Sequence, residues 1–349
     1  MLRFLIYLFI YLFIYLFYDG SIIVKLNKAL YGCVQSAKLW YKHISGTLIQ
    51  MGFVCNPLDR CVLNKVIDGK QCTICLHVDD ILITCELEEV IESVYGMLQE
   101  RYKEVKIVRG PKVSYLGITL DFSTPGKAKC TMEGYIADLL QVCGVTGRAS
   151  SPAPEDLFDI GESSPLCAEK RERFHSLVAK LLYLAKRVRP DLLVSVSFLA
   201  TRVQCATERD EVKLTRTLKY LNATAHLGLT LEVGESISVL GYIDASYWVH
   251  VDAKSHTGAA ITLGKGVVYA KSTKQKVVSK SSTEAELIGL SDSASQVLWT
   301  REFLIGQGYS VDAATVYQDN MSTMALAKNG RSNSERTRHV NIRYFFIKD

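Results

Sequence analysis

Two adjacent aspartates, Asp79 and Asp80, stand between two short apolar segments of the chain. Thr73 to Leu76 precede them and Ile81 to Thr84 follow, and short segments rich in Ile, Val and Leu predict two buried strands. The pair then lies at the tip of a hairpin. Neighbouring carboxylates repel each other and are costly to desolvate without a cation, which favours a divalent metal such as Mg²⁺. A simple Asp-Asp turn is the alternative.

Three further acidic residues occupy comparable positions in the last third of the chain. Asp244 follows a predicted strand at 237–243, and Asp319 follows another at 315–318. Glu286 lies in the first turn of a helix that Ser281 and Glu284 begin with the spacing of a capping box. Carboxylates at two strand ends and a helix start can hold two cations about 3.5–4 Å apart, as phosphodiester hydrolysis requires.

The rest of this last domain is predicted as strands at 259–263 and 267–271 and a second helix that ends near Gly330. The first helix has an apolar stripe made of Leu287, Leu290, Ala294, Val297 and Leu298. Upstream, the pattern predicts strands at 115–122 and 128–132, and helices at 30–51, 88–102, 135–142, 171–187 and 210–222. The proline-rich, acidic segment 150–165 is the predicted linker.

The charge of the chain is unevenly distributed, and two of its tracts are basic. The net charge is only +5, but residues 253–283 hold lysines and no Asp or Glu. The lysines at the end of that tract, and the arginines of the second tract, are Lys271, Lys274, Lys276, Lys280, Arg331, Arg336, Arg338 and Arg343. Such tracts attract a phosphate backbone of any sequence, and a solvated surface is the alternative interpretation.

The ten cysteines follow no disulfide framework, which predicts a reducing, intracellular environment in the cytoplasm or nucleus. Cys72 and Cys75 form a C-x-x-C, but strand alternation places them on opposite faces, against a zinc site. At the N-terminus, Ile-Tyr-Leu-Phe is repeated three times between Ile6 and Phe17. Residues 1–18 are long enough for a marginal membrane span, although a translated microsatellite gives the same repeat and is favoured.

Several motifs occur in the order typical of one family. Leu26 to Tyr41 resembles the L-K-K-S-L-Y-G-L-K-Q-S-P-R-x-W motif of copia-type LTR-retrotransposon reverse transcriptases, and His77 to Asp80 is similar to their Y-V-D-D box. Tyr115 to Ile118 resembles F-L-G-I, and Tyr183 to Asp191 resembles the L-L-Y-L-A and R-P-D-I segments. The resemblance covers residues 25 to 349. It implies that Gly32 and Ser36, with Asp79 and Asp80, belong to a polymerase remnant.

The last domain resembles the ribonuclease H domain of the same elements. The matching segments are Asp244 to Trp248, Ser281 to Glu286, Gln318 to Asn320, and Arg338 to Asp349. The resemblance implies that Asp244, Glu286 and Asp319 bind two Mg²⁺ or Mn²⁺ ions, and that His339 assists product release or proton transfer. Asn341 stands where the family has a fourth acidic residue, and Asp349 is the candidate substitute.

The polymerase palm is expected to be incomplete. The family's third carboxylate lies upstream of the L-Y-G motif, and Asp19 lacks its flanking pattern. Because a palm shares its metals among three carboxylates, we expect no polymerisation by this chain alone. Lys271, Lys274, Lys276, Lys280 and Arg338 are expected to grip nucleic acid.

The predicted architecture is an α+β and α/β protein. Residues 1–20 form an apolar tail, 21–149 a partial reverse-transcriptase palm and thumb, 150–236 a linker with connection helices, and 237–349 a ribonuclease-H-like, mixed five-stranded sheet with flanking helices. The expected activity is hydrolysis of the RNA strand of an RNA–DNA hybrid. The alternatives are a catalytically dead remnant that binds nucleic acid, and a membrane-anchored protein. The oligomeric state is not predicted.

Overall fold

The computed structural model describes residues 2–4, 14–16, 22–24, 30, 32–234 and 236–329. Its contacts divide the chain into two compact units, residues 1–116 and 117–349. This division differs from the predicted domain limits at 149 and 236. The predictions for Arg338, His339, Asn341 and Asp349 lie outside the described residues, as does most of the predicted tail.

The first unit is built from short strands and two helices. Its strands are β1 Leu2–Phe4, β2 Ile14–Leu16, β3 Ile22–Val24, β4 Val54–Cys55, β5 Val62–Ile67, β6 Lys70–His77, β7 Asp80–Thr84, β8 Val105–Lys106 and β9 Lys112–Tyr115. Its helices are α1 Ser36–Gln50 and α2 Glu88–Tyr102. The prediction for α2 matches, whereas α1 begins six residues after the predicted start at Leu30, because residues 32–35 form turns.

The main sheet of this unit has the strand order β4-β5-β6-β7-β1-β8 and is antiparallel throughout. Strands β6 and β7 form the predicted hairpin, in which His77 pairs with Asp80. One face of β6 packs on the helices through Cys72, Ile74 and Leu76, while Cys75 is on the opposite face. The alternation that argued against a zinc site is therefore confirmed.

The second unit contains all remaining elements. The helices are α3 Glu133–Cys143, α4 Ala168–Ala185, the 3₁₀ helix η1 Pro190–Leu192, α5 Leu193–Ala200, α6 Glu208–Ala223, α7 Ser282–Gly306 and α8 Met321–Asn329. The strands are β10 Ile118–Asp121, β11 Lys127–Thr131, β12 Leu229–Val233, β13 Leu240–Ser246, β14 His256–Thr262, β15 Gly264–Lys265, β16 Val267–Lys274 and β17 Thr315–Tyr317.

The strand predicted at 115–122 is instead two strands, β9 and β10. Leu116 and Gly117 separate them with φ angles of 51° and 79°. Two successive residues in the left-handed region cannot continue an extended strand. The chain therefore breaks inside the F-L-G-I-like segment.

The segment 150–165 packs on the helices of the second unit. Leu157 is buried in the core formed by α3, α4, α5 and α6. Lys213 of α6 donates hydrogen bonds to the Leu157 and Asp159 carbonyls, and Arg209 binds the carboxylates of Asp156 and Asp159. This stretch is thus fixed by buried apolar and charged contacts rather than extended between domains.

A mixed sheet carries the acidic residues of interest. Its order is β16-β14-β13-β17, with β17 parallel to β13 and the other pairs antiparallel. Four strands pair in the described residues, where five were predicted. Ile243 and Ala245 face α7, and Leu287, Leu290 and Val297 of that helix are buried as predicted. Leu298 is 52% exposed, so its assignment to the apolar stripe was wrong.

Candidate active site

Three carboxylates converge at the junction of β13, β17 and α7. Ligand oxygens of Asp244, Glu286 and Asp319 all lie within 4.8 Å of one another. Tyr242 of β13 pairs in register with Tyr317 of β17, and each aspartate follows its tyrosine by two residues. Parallel strands in register therefore bring the aspartates side by side. Asp244 was predicted to follow its strand, but it lies inside β13.

Glu286 reaches this cluster from the first turns of α7. The helix begins at Ser282, and the Ser281 hydroxyl accepts a hydrogen bond from the Glu284 amide at 3.2 Å, as the capping-box spacing predicted. The reciprocal bond differs from a capping box, because the Glu284 carboxylate accepts the Lys280 amide at 2.7 Å. These contacts fix the helix start and with it the position of Glu286.

The Glu286 carboxyl group is buried, with 6% of the residue exposed. Burial, followed by the nearby charges of Asp244 and Asp319, raises its pKa to about 7. Hydrogen bonds from Gln318 and from the Ala245 backbone act in the opposite direction. An excess of negative charge in a buried position is what a divalent cation relieves, and carboxylate oxygens are ligands that Mg²⁺ prefers. The residues present therefore fit a metal site.

Gln318 forms hydrogen bonds to the residues around the acidic cluster. Gln318 was not identified from the sequence as a functional residue. Its Nε2 donates to Oε2 of Glu286 at 3.1 Å and to the Ile243 carbonyl at 3.4 Å. Its Oε1 accepts the Asn320 amide at 2.9 Å. The sequence feature that could have identified Gln318 is its position directly before Asp319. From this position its side chain reaches the neighbouring strand β13 and helix α7.

A second chain of contacts joins the start of α8 to α7. The Asn320 side chain accepts the Thr323 amide at 2.9 Å, and the buried Thr323 hydroxyl donates to the Thr283 carbonyl at 3.2 Å. Asp319 therefore enters the cluster from a loop that is tied to the helix bearing Glu286.

The two aspartates also line a cavity of about 730 Å³. The residues that line it include Tyr242, Tyr317, Gly258 and Ser272 of the sheet, and Pro190, Asp191, Leu193 and Val194. Asp191 in this segment is held by Arg189, whose guanidinium is almost fully buried and binds both carboxylate oxygens at 2.7–3.2 Å. One part of the cavity lining is therefore held by an ion pair whose arginine is buried and whose aspartate is exposed.

The other aspartate pair lies at the hairpin of the first unit. Val78 has a φ of 50°, and its carbonyl accepts a hydrogen bond from the Trp40 indole at 2.6 Å. Burial and the charge of Asp80 raise the pKa of Asp79. Gly32 has a φ of 91° in the turn before α1, and the Ser36 hydroxyl donates to the Leu30 carbonyl at 2.5 Å. In the described residues, neither aspartate belongs to a three-ligand cluster.

The predicted lysine tract is divided by its contacts. Lys271 donates to the Asp292 carbonyl at 3.3 Å, and Lys274 forms an ion pair with Asp252 at 2.7 Å. Lys276 and Lys280 are exposed. Of the four lysines predicted to bind nucleic acid, Lys276 and Lys280 are therefore exposed to solvent before α7. Arg338 lies outside the described residues.

Comparison with known proteins shows which family the chain is similar to. Residues 18–155 match the family model described as reverse transcriptase (RNA-dependent DNA polymerase). The chain is 31% identical over 337 residues to the Pol polyprotein from transposon RE1 of Arabidopsis thaliana, and 27% identical over 339 residues to that from transposon TNT 1-94 of Nicotiana tabacum. Both alignments cover 94% of this chain. It belongs to the copia-type Pol polyproteins and contains reverse transcriptase domain sequence.

The chain spans about a quarter of the length of these relatives, 22% of the RE1 polyprotein and 25% of the TNT 1-94 polyprotein. A putative transposon Ty5-1 protein of Saccharomyces cerevisiae is 25% identical, and its alignment covers 78% of this chain and 89% of the yeast protein. No solved structure matches the chain significantly.

Two further predictions concern the environment of the protein. All ten cysteines lie in the described part of the chain and are free thiols. Among the described residues, no helix combines the length and apolar character that a membrane crossing needs.

Proposed function

We propose that residues 237–349 form a ribonuclease H domain that hydrolyses the RNA strand of RNA–DNA hybrids with two Mg²⁺ ions. The convergence of the Asp244, Glu286 and Asp319 carboxylates within 4.8 Å carries this proposal. The choice of an RNA–DNA hybrid rests on the motif resemblance. Residues 21–149 are proposed to be a partial polymerase palm and thumb, and 150–236 a connecting region.

Bound cations would activate water and stabilise the leaving oxygen of the phosphodiester. Asp244 and Asp319 are exposed and line the cavity, where their oxygens would contact metal and solvent. Glu286 supplies a third ligand from the buried side, and it must lose its proton before it can bind. Gln318 orients that carboxylate through its 3.1 Å hydrogen bond.

The overall reaction is balanced by water alone. A water oxygen attacks phosphorus, the bond to the leaving ribose oxygen breaks, and the leaving oxygen receives a proton. The products are a phosphate monoester and a hydroxyl end. His339 is proposed to serve proton transfer or product release.

The residue at position 341 favours a second candidate function. Asn341 stands where the family has an acidic residue, which favours a remnant that binds nucleic acid without cleaving it. The remnant would retain the basic surface at Lys276 and Lys280 but would show no metal-dependent turnover.

Cleavage of an end-labelled RNA–DNA hybrid by the 349-residue chain tests the proposal. Mg²⁺ should support cleavage of the RNA strand, EDTA should stop it, and an RNA–RNA duplex should be cut much more slowly. Asp244→Asn and Asp319→Asn should each lower the rate more than about 100-fold, beyond the 10- to 100-fold loss typical of an outer-shell change.

Asp312→Asn is the matched control, because Asp312 is an exposed aspartate of the same unit outside the cluster. It should leave the rate unchanged. Salt-dependent hybrid binding without any Mg²⁺-dependent cleavage would refute the nuclease and support the remnant.

A further inference from the structure

Two partly exposed tyrosines form a stacked pair on the mixed sheet. The rings of Tyr242 and Tyr317 lie with centroids 4.8 Å apart and planes inclined by 13°. Tyr242 is 47% exposed and Tyr317 is 49% exposed. Large aromatic side chains left this open on a sheet are typical of surfaces that receive another planar group.

The tyrosine pair lies next to the acidic cluster because β13 and β17 pair in register. Tyr242 precedes Asp244 by two residues, and Tyr317 precedes Asp319 by two. Tyr242 and Asp244 both belong to β13, where residues two apart share a face and are separated by about 7 Å, whereas Asp319 follows the end of β17. Both tyrosines and both aspartates line the same cavity. An extended ligand could therefore contact the rings and the acidic cluster together.

A second part of the cavity lining is apolar apart from the Asp191 carboxylate. Pro190, Leu193 and Val194 line it, and Val194 is 47% exposed. The adjacent Arg189–Asp191 ion pair anchors this part of the lining, and the Tyr220 hydroxyl adds a 3.0 Å hydrogen bond to Asp191. A volume of about 730 Å³ lies within the range of pockets for small ligands.

We propose that this cavity is a nucleotide subsite, in which an unpaired base stacks on the Tyr242–Tyr317 pair while its phosphate is held through metal at Asp244 and Asp319. The inference rests on the proposed metal site and adds to it the form of nucleic acid that is accepted. The site takes a nucleotide whose base is unpaired, as at a frayed end or a single-stranded overhang of the hybrid, and stacking makes it tolerant of base identity.

The chemistry of the cavity selects this occupant. Asp191, Asp244 and Asp319 line the cavity together with Lys271, so the negative charges outnumber the positive one and disfavour an anion. Cations held by Asp244 and Asp319 would invert the local charge and attract a phosphate. The stacked rings and the apolar part of the lining instead favour a flat, weakly polar group. A nucleotide carries an anion and an aromatic ring within one molecule. An apolar peptide would leave the carboxylates without a partner.

Binding of 1,N6-ethenoadenosine 5′-monophosphate to the 349-residue chain in Mg²⁺ tests the subsite by fluorescence anisotropy. Tyr317→Leu and Tyr242→Leu should each weaken binding at least about fivefold, the lower end of the effect of losing one base stack. Tyr317→Phe keeps an aromatic face and should retain binding. Tyr309→Leu, an exposed tyrosine outside the cavity, is the matched control.

Failure of the subsite and failure of the nuclease give different results. If hybrid cleavage depends on Mg²⁺ but the tyrosine variants bind the probe like wild type, the subsite is refuted and the nuclease stands. If the tyrosine variants lose binding while EDTA and Asp244→Asn have no effect on it, base stacking is confirmed and the phosphate arm through metal is refuted. Equal loss in Tyr317→Phe and Tyr317→Leu would refute stacking. Circular dichroism checks that each variant is folded.

Discussion

Gln318 donates a hydrogen bond from Nε2 to Oε2 of Glu286 across 3.1 Å, and so links the residue before Asp319 to the only buried carboxylate of the triad. The amide also reaches the Ile243 carbonyl on β13. One side chain therefore sets the relative positions of β17, β13 and α7 at the place where their carboxylates meet.

Metal binding should depend on pH through Glu286. Its pKa is raised to about 7, so this carboxyl is largely protonated at pH 6 and largely ionised at pH 8. A proton competes with Mg²⁺ for the same oxygen, and the affinity should rise by up to about tenfold per pH unit below pH 7 and level off above it. Titration calorimetry at pH 6, 7 and 8 measures this. An affinity that is constant over this range would contradict the prediction.

The same titration of the Glu286→Gln variant tests whether the pH dependence comes from the Glu286 carboxylate itself. Glutamine has a similar size and can still accept the Gln318 hydrogen bond, but it neither ionises nor offers a carboxylate. Mg²⁺ binding should be weak and independent of pH over this range. Asp312→Asn should behave like wild type, because that residue lies outside the cluster.

Removal of the orienting amide should also be measurable. Gln318→Ala deletes a hydrogen bond that favours the charged form of Glu286, so the pKa of Glu286 should rise further. The pH midpoint of Mg²⁺ binding should move upward, and affinity at pH 7 should fall about 10- to 100-fold, as for other outer-shell changes. A lower affinity with an unmoved midpoint would assign Gln318 a purely steric role.

The sequence was sufficient to predict local elements and the membership of the acidic triad. Asp244 and Asp319 were singled out as acids at the ends of predicted strands, although Asp244 lies inside β13. Helix α2 was predicted with its observed ends. Contacts between distant residues were not predictable from local pattern. The Gln318 network, the stacking of Tyr242 on Tyr317, and the packing of residues 150–165 all depend on which elements meet in space.

The hairpin that carries Asp79 and Asp80 includes a strained residue that can be relieved. Val78 is β-branched, yet it has a φ of 50°, a conformation that costs about 1–2 kcal/mol and that Asn tolerates better. Val78 is 51% exposed, so little packing is lost. Val78→Asn should stabilise the chain by about 1 kcal/mol in urea unfolding.

Val66→Asn provides the contrast. Val66 is 68% exposed in β5 and has no positive φ. Asn is a poor strand former, and this variant should be neutral or destabilised. Stabilisation of both variants, or of Val66→Asn alone, would show that backbone strain at Val78 is not the cause.

A buried histidine pair should make the second unit sensitive to acid. His250 Nε2 and His256 Nδ1 are 3.0 Å apart, and His256 Nε2 is 2.7 Å from the Ser272 hydroxyl. Burial lowers the pKa of each histidine to about 4, with Lys274 and Lys254 opposing and Asp252 favouring the charged form of His250. The folded state therefore resists protonation.

The sign of the effect follows from the two states. The unfolded chain takes up protons below about pH 6.5 and the folded chain only near pH 4, so stability is full above pH 6.5 and falls as the pH drops. Each histidine should contribute about 1–2 kcal/mol of loss between pH 7 and pH 5. Urea unfolding measures this, and His226→Gln, at an exposed site, should leave the pH dependence intact. A flat profile from pH 7 to 5 would contradict buried, neutral histidines.

The exposed lysines before α7 are expected to contact the phosphate backbone of the hybrid. Lys276 and Lys280 are open to solvent, whereas Lys274 is already paired with Asp252 at 2.7 Å. Each phosphate contact contributes about 0.9 to the log–log salt slope on B-form DNA, and a hybrid should be comparable. The double variant Lys276→Ala, Lys280→Ala should flatten the slope by nearly 2, and Lys274→Ala by much less.

Filter binding at several salt concentrations measures the slopes, with Lys170→Ala as a control on α4, where Lys170 faces Glu211. Stability should change by less than about 0.5 kcal/mol in the double variant, because both side chains are exposed. A slope unchanged by the double substitution would make this tract a solvated surface. A larger effect of Lys274→Ala than of the double variant would show that the Asp252 ion pair opens when nucleic acid binds.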